Sequence, residues 1–381
     1  MEDIVKAEAI ASKIAEAGGR AYYVGGCVRD KLLKRPCKDL DIEVYGIPAE
    51  KLEELLSSFG NVLTVGKSFG IFKLEHTSLD IALPRTEEKI GEGHRAFLTS
   101  ADPFLSPETA SSRRDFTVNA LMEDVLSGEI HDYHHGLEDL EKGILRHVND
   151  ASFSEDPLRV LRAARFAAQL GFDVAEETRE LCRKIDLSSL SRERVEGETE
   201  KALLSREPAR YFRELRQMEQ LKEYYAELKE DPVFDERVLA LREEAKEPVE
   251  YMLDILCAGM TAKEKESFLR RFVTKKYELK ELKYRTCEDI TEKTALFTKL
   301  DQLTEPGDYL LVLRALYPQN EEKYIALGKD YQSFLQKEHI SGEELIALGM
   351  KPGKELGELM KKIRKEEYTR SKEEILEELK K

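Results

Sequence analysis

Apolar residues Ile4, Ala7, Ala11, Ile14 and Ala15 recur at helical spacing over residues 3–17, and Gly18-Gly19 closes the run. This predicts an amphipathic helix. The period then changes, and strand patterns cover 21–24, 40–45, 61–65, 69–74 and 78–83. Pro48 opens a further helix over 49–58. From Ser154 onward nearly everything is helical in pattern and rich in Glu, Lys, Leu and Arg. Pro208, Pro248, Pro306 and Pro318 mark interruptions between helices. No fixed-period repeat or low-complexity tract is present. The patterns predict an α+β architecture: a mixed sheet with helices first, then an elongated all-α remainder.

The strand at 40–45 carries the first chemistry. Side chains alternate across a strand, so Asp39, Asp41 and Glu43 share one face while Leu40, Ile42 and Val44 pack on the other. Acids on one face repel unless a cation lies between them; the competing reading is the polar face of an edge strand. Asp80, between apolar neighbours at 78–83, offers a third acid to complete a Mg²⁺ site or to act as a base. Ahead of this strand runs Tyr22-Tyr23-Val24-Gly25-Gly26-Cys27-Val28-Arg29-Asp30. The paired glycines can approach phosphates, and Arg29 on the following helix can face a triphosphate. Alternatively the segment is a structural turn with Arg29 paired to Asp30. Paired acids on a rigid strand beside such a turn are the parts two-metal nucleotidyl transfer requires.

Two further stretches are rich in arginine. In Ser111-Ser112-Arg113-Arg114-Asp115-Phe116-Thr117-Val118-Asn119-Ala120, the arginines can hold phosphate oxygens and Asp115 can accept from a ribose hydroxyl; the alternative is a helix start with solvated charges. In Glu155-Asp156-Pro157-Leu158-Arg159, helical geometry sets Asp156 and Arg159 about 60° apart on one surface. Arg159, Arg162 and Arg165 span an arc of about 120°, with Val160, Ala163, Ala164 and Ala167 opposite. An ordinary ion pair there contributes only a few tenths of a kcal/mol. As a template the same pair explains more. Cytosine and adenine present an amino donor beside a ring-nitrogen acceptor, whereas uracil and guanine present the reverse order. One aspartate and one arginine therefore accept the first two bases and leave polar groups unpaired against the others.

At 381 residues the chain is expected to form roughly two to four domains. Hydrophobic residues make up 41% and charged residues 36%, with no tryptophan, and no apolar run approaches the roughly 20 residues that span a bilayer. The start reads as an acidic amphipathic helix, not a signal peptide. Five scattered cysteines without a CxxC pair predict free thiols, no zinc site and a reducing cytoplasm. A net charge of −15 argues against a general nucleic-acid coat. A structured RNA remains open if the positive charge gathers on one surface.

In this order, these segments resemble the class II tRNA nucleotidyltransferases, the CCA-adding enzymes with the bacterial poly(A) polymerases as sister group, within the DNA polymerase beta-like superfamily. The matching segments are Gly25-Gly26-x-x-Arg29-Asp30 with Asp39-Leu40-Asp41; Arg113 through Ala120; Asp132 through Asp139-Leu140 to Arg146; Glu155-Asp156-x-x-Arg159 with Arg162 and Arg165; and Arg194-Val195-x-x-Glu198-x-x-Lys201. A weaker match covers Gly342 to Gly357. The resemblance implies a nucleotidyltransferase head (1–148), a base-recognising neck (149–206), a body (207–305) and a tail (306–381). It implies Mg²⁺ on Asp39 and Asp41, and Gly25, Gly26, Arg29, Arg114 and Asp115 at the phosphates and sugar. Asp156 and Arg159 fall at the base, with Arg162 and Arg165 completing the pocket. CTP and ATP are the implied substrates. The implied partner is tRNA, held at its 3′ end and outer half, and neither DNA nor a membrane. CC-adding, A-adding and poly(A)-forming enzymes are the alternatives.

The chain departs from the family pattern where His135-Gly136 replaces a glycine pair, and in the stretch from Arg85 to Arg113. Only His339 follows His147, so no phosphohydrolase domain is expected.

Overall fold

The computed structural model describes residues 2–37, 40–64, 70–89, 97–274, 285 and 287–380. Two compact units divide the chain, Met1–Glu223 and Tyr224–Lys381.

The first unit opens with α1 (Glu2–Glu16), β1 (Arg20–Val24), α2 (Gly26–Leu32), β2 (Leu40–Tyr45) and α3 (Ala49–Ser57). Strands β3 (Val62–Thr64), β4 (Ile71–Leu74) and β5 (Leu79–Ala82) follow, then β6 (Arg85–Lys89) and β7 (Phe97–Ala101), which pair with each other. Next come α4 (Pro107–Ser111), β8 (Met122–Asp124), β9 (Ile130–His131), α5 (Gly136–Lys142) and β10 (Ile144–Leu145). Every strand expected from the sequence appears, shifted by a residue or two at its ends. The β6–β7 pair and the short β8 and β9 carry no alternation from which they could be read.

Seven strands form one sheet in the order β3-β4-β5-β2-β1-β8-β9, antiparallel except where β2 runs parallel to β5. One face is apolar. Ala7, Ile10, Ala11 and Ile14 of α1 and Leu52 and Leu56 of α3 pack there against Ile42, Val44, Phe72, Leu79 and Ile81. The helical period of α1 and the twofold period of the strands meet in this core, which leaves the opposite face of β2 and β5 for acids.

The elements that follow are α6 (Asp150–Glu155), α7 (Leu158–Leu170), β11 (Asp173–Val174), α8 (Glu176–Arg183), α9 (Arg192–Leu203) and α10 (Pro208–Gln217). Val160, Ala163, Ala164 and Ala167 of α7 are buried, as their small size and spacing require, and α7 packs on α9 and α10.

The second unit is helical among its described residues. Pro248 and Pro306 each stand as the first residue of a helix, as Pro208 does in the first unit, where a missing N–H costs nothing. One of its apolar clusters joins Phe297, Tyr309, Leu313, Tyr324, Tyr331, Phe334 and Tyr368. Asp301 accepts from the hydroxyls of Tyr331 (2.7 Å) and Tyr368 (2.7 Å) and from Arg364 Nε (2.8 Å), which ties three helices together. Among the described residues, no helix is long and apolar enough to cross a membrane.

Candidate active site

Asp41 and Asp80 lie opposite each other in the parallel β2–β5 ladder, so both project from the face that the core leaves open. Asp41 is exposed, while Asp80 is engaged by Lys73 of β4 at 2.9 Å. Asp39 lies outside the described residues. Glu43 follows Asp41 on the same face, accepts from the Tyr45 hydroxyl at 2.5 Å and lies 3.8 Å from Arg114 Nη2. Burial and the neighbouring Glu43 carboxylate push the Tyr45 phenol above its ordinary pKa. The phenol therefore stays a donor and holds Glu43 in place.

The glycine turn comes to this acid face. Gly25 has φ +74°, and a Cβ there would meet Arg114 Nη1 at 3.1 Å and Asp41 Oδ2 at 4.0 Å. Its lack of a side chain lets the strand acid and the arginine converge on the backbone. Gly26 starts α2.

Behind the turn a continuous set of hydrogen bonds joins α2 to α7. Arg29, 4% exposed, donates through Nη1 to Asn119 Oδ1 at 2.6 Å. It also pairs with Asp30, through Nε at 2.9 Å. Asn119 Nδ2 donates to Asp115 Oδ1 at 3.0 Å, and Arg162 Nε donates to Asp115 Oδ2 at 2.8 Å. Burial works against the Asp115 charge, but Arg162 and Asn119 more than offset it and hold the carboxyl below the usual range. Phe166 underlies the arginines: the guanidiniums of Arg29, Arg162 and Arg165 lie 5.2, 5.1 and 3.8 Å from its ring centre. Arg165 is 6% exposed and bonds to Glu198 and, at 2.7 Å, to Gln169.

At the start of α7 the structure differs from the helical geometry expected for Asp156 and Arg159. Asp156 is extended (φ −116°, ψ 100°) and precedes α7, because a residue before proline is steered away from the helical region. The two side chains do not pair with each other. Asp156 binds Arg194 of α9, at 2.8 and 2.9 Å, whereas Arg159 donates to the carbonyls of Ser152 (2.9 Å) and Arg113 (2.7 Å). Asn119, Phe166 and Arg194 stand within the sequence motifs, yet the residues around them assign them no role. Arg29, the partner that Asn119 and Phe166 share, and Asp156, the partner of Arg194, lie tens of residues away, and no local period signals those contacts.

The donor chemistry suits a hard divalent cation. Asp41 supplies exposed carboxylate oxygens beside a second acid on the adjacent strand. Among the described residues, no group of three His, Cys, Asp or Glu side chains converges on one point.

Residues 21–146 match the family described as the poly A polymerase head domain, and 171–230 match the probable RNA and SrmB-binding site of polymerase A. A multifunctional CCA protein of Pasteurella multocida is 46% identical over 216 residues, covering 55% of this chain and 50% of that protein. A CCA-adding enzyme of Actinobacillus succinogenes is 44% identical over 214 residues, covering 54% and 52%. The chain thus spans about half the length of the relatives it matches. Among solved structures, a CCA-adding enzyme in complex with CTP has a TM-score of 0.71 at 25% identity, covering 98% of this chain and 93% of that one. The fold of the Thermotoga maritima CCA-adding enzyme complexed with tRNA is also similar, with a TM-score of 0.67 at 24% identity and coverage of 98% and 93%. Residues 21–146 thus resemble a poly A polymerase head domain in sequence, and the chain over nearly its whole length resembles CCA-adding enzymes in fold.

Proposed function

We propose that the protein is a CCA-adding tRNA nucleotidyltransferase, adding C, C and A from CTP and ATP to the 3′ end of tRNA without a nucleic-acid template. The observation that carries the reading is one connected set of residues with two unlike ends. Asp41, Arg114 and the Gly25 backbone meet at one end, Asp156 and Arg159 stand at the other, and the Arg29–Asn119–Asp115–Arg162 bonds join them.

In this reading Gly25, Gly26 and Arg114 receive the triphosphate. Asp156 accepts from the exocyclic amine of cytosine or adenine, and Arg159, pinned by two carbonyls, donates to the ring nitrogen. The terminal hydroxyl of the tRNA attacks the α-phosphate; the bond to the leaving pyrophosphate breaks as the new ester forms. Asp80, freed from Lys73, stands where it can take the hydroxyl proton. The family is metal-dependent, and we assign Mg²⁺ to Asp41 with Asp39, where it supplies charge neutralisation to the phosphates. Asp115 and Arg165 have their polar atoms committed inside the protein, so we assign them to positioning Arg162 and α7 rather than to touching the nucleotide. This departs from the ribose contact expected for Asp115.

The division into head (1–148), neck (149–206), body (207–305) and tail (306–381) belongs to the same proposal, with the tail on the outer half of the tRNA. So do a cytoplasmic location and the lack of DNA-directed and phosphohydrolase activity.

Purified protein, Mg²⁺, each labelled nucleotide and tRNAs ending before, within and after CC provide the test. Two C residues and then one A are expected, with UTP and GTP rejected. Stopping after CC, adding only A, or extending a poly(A) tract would assign one of the sister activities. Equal use of all four nucleotides would remove the templating idea.

A further inference from the structure

The carboxylate assigned to base reading is held by a residue outside the Asp156/Arg159 pair. Asp156 Oδ1 accepts from the Leu158 N–H at 3.1 Å, and both carboxylate oxygens accept from Arg194 Nη2. Arg194 lies in the first turn of α9, and one helical turn further Glu198 of the same helix binds Arg165. The Asp156 and Arg194 side chains are 35% and 21% exposed, which places the pair toward solvent and not inside the core.

The two base-reading groups are thus anchored in different ways. Backbone carbonyls fix Arg159, so no single side-chain substitution frees it. One charged side chain supplies the lateral anchor of Asp156.

Selection by hydrogen-bond order depends on where the acceptor stands. Opposite cytosine, Asp156 must meet the exocyclic amine while Arg159 meets the ring nitrogen. If the carboxylate slides along the base edge from the amine position toward the ring nitrogen, it can accept from the ring N–H of uracil or guanine, and it no longer opposes their carbonyl. The same two residues would read the wrong bases.

We propose that Arg194 is a specificity-determining positioning residue, which keeps Asp156 opposite the amine and so excludes uracil and guanine. The inference rests on the template reading above. The full-length protein is tested with a tRNA lacking CCA by comparing single-nucleotide kcat/KM for CTP and UTP. In R194M the CTP-to-UTP ratio is expected to fall about tenfold or more, with a smaller loss for CTP itself. R194K, which keeps a charged donor, is expected to hold the ratio within about threefold of wild type.

Thermal melts establish which variants fold. Should R194M not fold, R194Q carries the measurement, with the ratio expected to drop in the same direction. A folded, uncharged variant that keeps the wild-type ratio, or loses CTP and UTP use in equal proportion, overturns the proposal. Wild-type protein that takes UTP as readily as CTP would instead remove the template reading itself.

Discussion

Asp41 is exposed and adds nothing to the core, so its replacement isolates chemistry from stability. D41N is expected to lower nucleotide incorporation by about 10³-fold while unfolding free energy stays within about 0.5 kcal/mol of wild type. Radiolabelled incorporation and urea titration check the two halves. Gly136 and His135 behave oppositely. A Cβ on Gly136 would come 2.3 Å from the Thr117 carbonyl oxygen, a backbone atom with nowhere to go, so G136A should destabilise by at least about 2 kcal/mol. His135 sits at φ +61°, a conformation that glycine adopts freely. H135G relieves that strain but loosens the unfolded chain, so its net effect is expected between zero and a gain of about 1 kcal/mol in a denaturant melt. The departure from a glycine pair is therefore tolerated at 135 and would not be at 136.

Elements differ in how far their contacts can be read from sequence. The acid face of β2 is legible because alternation with period two belongs to the strand itself, and the register of Asp41 with Asp80 follows once the strands pair. The buried face of α7 is legible in the same way, from small residues at helical spacing. The Asp156–Arg194 bond is not: it spans 38 residues and depends on how α7 and α9 pack. One signal is available, since Pro157 directs Asp156 out of the helix and so breaks the simple pairing with Arg159. Phe166 is another element-level contact, and F166L should raise the KM for CTP several-fold and lower stability by about 1–2 kcal/mol, because three guanidiniums lose their ring. Asp115 yields a pH effect. Its folded pKa lies below the unfolded value, so its contribution is present above about pH 4 and is lost as pH falls through the folded pKa. D115N should remove up to one proton from the acid limb, a slope of about 1.4 kcal/mol per pH unit, measured by denaturant titration between about pH 2 and 5.

For the whole molecule, a net charge of −15 means that the proposed tRNA binding must rest on local clusters of positive charge. Lys351, Lys354, Lys361 and Lys362 are exposed along and just before the helix Lys354–Glu366, which buries Ile363. Replacing all four with alanine should raise the KM for tRNA about tenfold and leave that for CTP unchanged. The log–log salt dependence of tRNA binding should flatten by about one for each phosphate that no longer meets a lysine.

The hydrogen-bonded path from Arg29 through Asn119 and Asp115 to Arg162 acts as a caliper. Because every joint in it is occupied, the distance between its jaws is set before any nucleotide arrives. In the proposed reaction a purine and a pyrimidine are accommodated within one fixed opening, so the change from C to A is expected to come from the growing RNA end and not from the enzyme stretching its grip.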